Sequence, residues 1–315
     1  MFVVGGESLV DLVPAKPGPA AERQPVAGGS PFNCAIALAK LGNTTGFLCP
    51  ISTDEFGDML LAPLAAAGVD LLIKQRVDAP TTKAIVTFNE KMQASYVFER
   101  GAERAFTKEG LVAALPGGVT LLQLGGFVPI EPEDAAAWLA VAGKAIVGGA
   151  TISMDINVRP LLVQDEKTYR DQLSQLLDLA HVIKLSDEDH DWLEPGMSIE
   201  AHAQALLARP NCELVVVTLG EEGSLAFTKA TTAKAPIYSP PVFVDTVGAG
   251  DSLMAGVLTA LAEKQALTPG RLGTLNEAAL VSVLRFGAVV AGINCGRKGC
   301  QPPTRAEVDA VLAKG

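Results

Sequence analysis

Apolar residues are distributed along the chain in two alternating patterns. Continuous runs at Met1–Val4, Thr45–Ile51, Val119–Leu124, Thr151–Met154, His181–Leu185 and Leu214–Thr218 have the length and composition of strands buried on both faces. Between them, Phe32–Leu41, Glu55–Ala67, Glu133–Val147, Tyr169–Leu179 and Ala201–Ala208 predict helices. Another apolar helix follows residue 251, with Leu253, Val257 and Leu261 on one face. Strands separated by helices of this length imply βαβ units. The expected fold is therefore a three-layer α/β/α arrangement around a mainly parallel central sheet. No repeat or low-complexity linker divides it, so residues 1–315 are read as one domain.

Two segments break the rhythm. In the first, Ser8–Val13 is extended and a Pro/Gly/Ala-rich connection follows it. In the second, the β-rich runs Lys83–Phe88 and Ala94–Phe98 are joined by polar residues 89–93 with no helix between them, as in a hairpin. A plain surface hairpin is one reading. The other is a small second sheet formed by about 8–27 and 76–104, lying over one edge of the main body.

Composition narrows the function. With 49% hydrophobic and 19% charged residues the chain can build a large core and is not disordered. A formal charge of −10 argues against a nucleic-acid partner. The most membrane-like stretch, Ala135–Met154, is interrupted by Lys144 and several glycines and falls where a crossover helix and strand belong, so no membrane partner is expected. Five cysteines without paired spacing, and a start without a basic and long apolar leader, lead to the expectation of a cytoplasmic protein.

The segment Asp245-Thr246-Val247-Gly248-Ala249-Gly250-Asp251 carries the most chemistry. It follows an expected extended stretch, Pro241–Val244, and opens the apolar helix. A helix that starts in small residues offers unpaired N–H groups and a positive dipole end to an anion. A carboxylate at the same place would repel a phosphate. It makes sense if it takes a proton from a hydroxyl while the N–H groups hold the phosphoryl group under attack. The Walker pattern is absent. A dinucleotide fold is excluded because Leu253 replaces the third glycine and fewer than 70 residues follow.

Other candidates stand beside plainer readings. Asp11 lies just past the first strand, where ligands of parallel sheets bind. Gly28, Gly29 and Asn33 could approach a polyol, or make a tight turn with a helix cap, to which Ser30 is also suited. Asp155-Ile156-Asn157-Val158-Arg159-Pro160 leaves a strand with more polar residues than a buried strand end requires. Ser186-Asp187-Glu188-Asp189 reads as a helix start, or as carboxylates for magnesium. Thr218, Gly220 and Gly223 end a strand where a nucleotide could lie. His181, His190 and His202 lack metal-ligand spacing, and Cys295 and Cys300 read as small buried thiols.

Gly28–Asn33 together with Asp245–Asp251 resembles the two signatures of the ribokinase-like (PfkB) carbohydrate kinases, in order and over essentially the whole chain. Gly6–Pro14, Asp155–Pro160 and Lys184–Glu188 make it most similar to the bacterial fructokinases within that family. The resemblance implies ATP-dependent phosphorylation of a sugar hydroxyl under a small β-sheet lid. Asp251 would be the base, and Gly248, Ala249 and Gly250 the anion hole. Asp11, Gly28, Gly29, Asn33 and Arg159 would hold the sugar, and Ser186, Thr218, Gly220 and Gly223 the nucleotide. It also implies Mg2+ with ATP, reached through water by Asp189, and K+ beside Asp245 and the 295–299 region. Asp189 departs from the family's glutamate by one methylene. The expected substrate is fructose. The alternatives are 2-keto-3-deoxygluconate, whose carboxylate Arg100 or Arg159 could clamp, and ribose. A non-catalytic sugar-binding regulator is the reading from another class. A homodimer through the lid is an expected partner.

Overall fold

The structure, a computed structural model, describes residues 1–14, 22–88 and 94–314. In chain order its strands are β1 (Phe2–Gly5), β2 (Leu9–Pro14), β3 (Arg23–Gly28), β4 (Thr45–Leu48), β5 (Asp70–Leu71), β6 (Lys83–Phe88), β7 (Ala94–Glu99), β8 (Leu121–Gly125), β9 (Thr151–Asp155), β10 (Val182–Ser186), β11 (Leu214–Thr218), β12 (Ser224–Phe227) and β13 (Thr232–Ala235). The helices are α1 (Ser30–Lys40), α2 (Glu55–Ala67), α3 (Lys108–Ala114), α4 (Pro132–Val147), α5 (Glu166–Leu179), α6 (Asp187–Leu193), α7 (Ile199–Leu207), α8 (Ala249–Glu263), α9 (Glu277–Cys295) and α10 (Arg305–Leu312).

Nine strands form the central sheet in the order β13-β12-β11-β10-β9-β8-β1-β4-β5. The pairs from β11 across to β5 are parallel, whereas β12 pairs antiparallel with β11 and β13 antiparallel with β12. Alternation along the strands feeds two cores. Val4, Phe47, Leu121 and Val216 pack with α1, α8 and α9 on one face. Val3, Leu48, Leu122 and Val215 pack with α4, α5 and α7 on the other. The second sheet has the order β3-β2-β6-β7: β2 pairs antiparallel with β3 and parallel with β6, and β6–β7 is a hairpin. The broken rhythm thus reflects a separate sheet rather than a plain hairpin.

The predicted elements are present with shifted ends, and several were not foreseen. The strand at Thr45 ends at Leu48 because Pro50 cannot donate to a ladder. β3 occupies what reads as a connection. β12 and β13 are only four residues long. α9 lacks a clear polar stripe because most of its surface is covered; it is apolar enough to cross a membrane by length and composition, but it is a core helix against α8. Pro241–Val244 belongs to no strand: β13 ends at Ala235, and a loop runs from there to α8.

α8 and α9 touch through glycines. A Cβ at Gly256 would lie 2.7 Å from the Gly287 Cα, so no side chain fits between these backbones. Gly256→Val is expected to cost about 1–3 kcal/mol by overpacking. Thermal melts would show a Tm roughly 2–10 °C lower; an unchanged Tm would refute the tight contact.

Candidate active site

The carboxyl ends of β1, β9, β10 and β11 open on one edge of the sheet, and the N-termini of α1 and α8 meet there. Asp251, in the first turn of α8, is 9% exposed. Its Oδ1 accepts from Ser30 Oγ at 2.6 Å and its Oδ2 from Asn33 Nδ2 at 2.8 Å. Ser30 and Asn33 lie in the first turn of α1, entered through Gly29 at φ 108°. At that angle a side chain would be strained, and a Cβ would stand 2.9 Å from the Glu7 carbonyl oxygen. The Glu7 carboxylate secures this entry, accepting from Ser30 N at 3.2 Å and from Phe127 N at 2.9 Å. Burial pushes Asp251 above the ordinary carboxylate range, opposed by its two hydrogen bonds and by the positive charges of Lys184 and Arg159.

Gly248 precedes α8 in the left-handed region, φ 70°, and a Cβ there would collide with Cys300 Sγ at 2.3 Å. Of the N–H groups expected to face an anion, that of Ala249 closes a turn onto Thr246 O at 3.0 Å. Gly250 and Asp251, in the first helical turn, have no acceptor within the helix. The approach to α8 is clamped from behind. Asp245 accepts from Val247 N at 3.0 Å and Gly299 N at 2.8 Å, and Asn294, fully buried on α9, donates to Val247 O at 2.8 Å. Asp245 thus fastens the approach to α8 onto the 295–299 segment. Cys295 and Cys300 are only half-buried, not core thiols, because they flank this loop.

Between β2 and β3, Asp11 Oδ2 stands 2.7 Å from where a Cβ of Gly28 would be, so the glycine makes room for the carboxylate. Burial raises Asp11 to about 6, partly offset by Arg159. Asn157 at φ 44° turns the chain after β9, and Arg159 Nη1 donates to Asn157 Oδ1 at 2.5 Å. Arg159 is close enough to Glu7, Asp11 and Asp251 to favour the ionised form of all three. The fold therefore gathers Asp11, Gly28, Gly29, Asn33 and Arg159 around Asp251. The structure gives the Asn33 amide a duty that was not expected, holding the acid.

Ser186 and Thr218 are register partners at the ends of β10 and β11, the neighbouring part of the same edge, with Gly220 just beyond. Gly223, φ 94°, lies against Ala235 O and shapes the β11–β12 turn. Asp189 completes a capping box with Ser186 and accepts from Ser186 N at 2.8 Å and Val158 N at 2.7 Å. Its carboxylate thus joins α6 to the loop that carries Arg159. Among the described residues no three His, Cys, Asp or Glu side chains form a metal cluster. His190 and His202 pair with each other through Nδ1 atoms 2.8 Å apart, and His181 accepts from Ile152 N.

The pfkB family carbohydrate kinase profile matches residues 1–307. The chain belongs to this family. Fructokinase-2 of Solanum lycopersicum is 31% identical over 324 residues, covering 100% of this chain and 97% of that protein. A fructokinase of Rhizobium leguminosarum bv. trifolii is 33% identical over 287 residues, covering 89% and 85%. The crystal structure of a fructokinase with bound ATP from Xylella fastidiosa superposes with a TM-score of 0.87 at 26% identity, over 99% of this chain and 98% of that one. The chain is thus an ATP-dependent carbohydrate kinase, and its substrates are a nucleotide and a sugar.

Glu7 and Lys184 stand in motifs quoted above without a role, and Asn294 in none; the fold brings all three to the starts of α1 and α8. Lys184 had a visible signal, a lone cation inside an otherwise apolar strand. Glu7 and Asn294 act through backbone groups that only folding brings to them.

Asp11 allows a test of the electrostatics. Its folded value of about 6 against an ordinary 3.8 means that the folded state binds the proton more tightly. The resulting stabilisation is complete below about pH 4 and is lost as pH rises through 6. Asp11→Asn removes that loss. Its stability relative to wild type is expected to rise by roughly 1–2 kcal/mol between pH 5 and pH 8, read from urea midpoints. A difference independent of pH would show that Asp11 is not in this setting.

Proposed function

We propose that the chain is a fructokinase, converting ATP and D-fructose to ADP and fructose 6-phosphate. The observation that carries the chemistry is Asp251, a buried carboxylate at an anion-binding helix start, held by Ser30 and Asn33. In this reading Asp11, Gly28, Gly29, Asn33 and Arg159 place the sugar so that its primary hydroxyl reaches Asp251. Asp251 takes the proton as the hydroxyl oxygen attacks the γ-phosphorus, and Gly250 and Asp251 donate N–H groups to the phosphoryl oxygens. The lid sheet excludes water that would otherwise accept the phosphoryl group.

The choice of fructose is supported by the names of the relatives and by the state of Arg100. A substrate carboxylate such as that of 2-keto-3-deoxygluconate requires a guanidinium to clamp it. Arg100 Nε is 2.8 Å from Glu103, its Nη2 is 3.3 Å from Asp134 and its Nη1 is 3.6 Å from Glu131, so its charge is already balanced. Glu99, the nearby acid, pairs with Lys83 across the lid hairpin.

In this reading Mg2+ would accompany the ATP phosphates, with Asp189 reaching it only through water, and Asp245 would hold K+, whose charge would favour an anion at the start of α8. Ser186, Thr218, Gly220 and Gly223 border the nucleotide. A homodimer through the lid is supported by Val26 and Val97, exposed on that sheet. A cytoplasmic location is supported by five free cysteines.

ADP release over fructose, ribose, 2-keto-3-deoxygluconate, glucose and inosine tests the substrate. Fructose is expected to give the highest kcat/KM, and a tenfold advantage for ketodeoxygluconate would overturn the assignment. Asp251→Ala is expected to lower kcat by about 10²–10⁴ with ATP affinity nearly unchanged. Residual activity above roughly a tenth of wild type would place the base elsewhere.

A further inference from the structure

Among the residues of β10, Lys184 stands out. Val182, Ile183 and Leu185 are buried as a central strand requires, and Lys184 among them is 4% exposed. Its Nζ lies 3.0 Å from both carboxylate oxygens of Asp155, its register partner on β9. Replacing such a buried pair by apolar side chains is often neutral or stabilising, so fold stability is a weak reason for its presence.

Its location supplies a better one. The point where a Cβ of Gly250 would stand is 3.1 Å from Lys184 Nζ, with no other non-neighbouring heavy atom within 4 Å. The ammonium therefore abuts the first turn of α8, beside the N–H groups that head the helix. An ammonium has three N–H donors, and the two Asp155 oxygens account for two. Burial works to neutralise the amine, yet the carboxylates of Asp155, Asp189 and Asp251 hold it above the usual lysine value. A positive charge is thus kept under the place where a highly anionic nucleotide must deliver its phosphoryl group.

We propose that Lys184 is a further catalytic residue, donating an N–H to an oxygen of the phosphoryl group during transfer; this rests on the phosphoryl-transfer reading above. In that step the bond between the γ-phosphorus and the β,γ-bridging oxygen breaks, and its electron pair leaves with ADP. The sugar oxygen forms the new bond, and its proton goes to Asp251. Lys184 gives up no proton. It offsets the charge gathering on the phosphoryl oxygens, and Asp155 keeps it in position between turnovers. A Cβ at Gly250 would stand only 3.1 Å from the ammonium and displace it by a few tenths of an ångström, a constraint separate from the anion hole.

The test compares wild type with Lys184→Met, Asp155→Asn and the double variant, each followed by thermal melt and by sugar-dependent ADP release. Lys184→Met is expected to lower kcat by about 10²–10³, with KM for sugar and ATP within about threefold. Asp155→Asn leaves the cation in place and is expected to keep a kcat at least about tenfold above that of Lys184→Met. The double variant, with both charges removed, is expected to fold and to show the same kcat loss as Lys184→Met, which decides the matter if Lys184→Met alone does not fold. A kcat within about threefold of wild type in Lys184→Met or in the folded double variant overturns the proposal. So does an Asp155→Asn variant as impaired as Lys184→Met, because the pair would then matter only as structure. Failure of the phosphoryl-transfer reading is a separate result: wild type itself would release no ADP in response to any sugar.

Discussion

A buried carboxylate without partners costs several kilocalories per mole or takes up a proton, and the site is organised around avoiding that at Asp251. Two hydrogen bonds from the first turn of α1 meet the first turn of α8 at this one side chain. The contact joins residues more than two hundred positions apart and ties the two halves of the chain together at the sheet edge. Glu7 under α1, and Asp245 with Asn294 behind α8, keep both helix starts in place. The acid is left hydrogen-bonded yet raised above its ordinary range, the condition a base needs in order to take a proton and release it.

Charge balance around that contact is equally constrained. Asp155, Asp189 and Asp251 lie around the Lys184 ammonium at the edge of the central sheet, and burial works against the charge of Asp155 and Asp251. The positive charges of Arg159 and Lys184 oppose it, the second against the first turn of α8. Asp189 contributes indirectly by holding the loop that delivers Arg159. The glycines fit this account through contact as well as conformation: Gly28 accommodates a carboxylate, Gly250 an ammonium and Gly248 a thiol.

Much of the main body could be read from the chain. The apolar runs matched β1, β4, β8, β9, β10 and β11 because strands covered on both faces leave a continuous signal. Strand ends moved where local chemistry intervened, as at Pro50. α9 and the pair β12–β13 were overlooked for opposite reasons: one is apolar almost all round, and the others are too short for a period to show. At the site, the glycine-acid segment indicated its chemistry because a helix start and a carboxylate in one short motif have few shared uses. The motif implies a free N–H at Ala249, which the fold spends on a turn. Lys184 was passed over because a lysine's partners are set by strand register, which no local pattern reveals.

The sequence by itself determined the α/β class, the alternation of the main strands and helices, and the pairing of a helix start in small residues with an acid. All of these follow from interactions between residues close in the chain. Tertiary structure decided which side chains share one charge environment. It set Asp11 against Gly28, Asn33 and Ser30 against Asp251, and Lys184 between Asp155 and Gly250. Those relations arise from the parallel register of β9 and β10 and from the meeting of α1 with α8, and electrostatics depends on distance through space rather than along the chain.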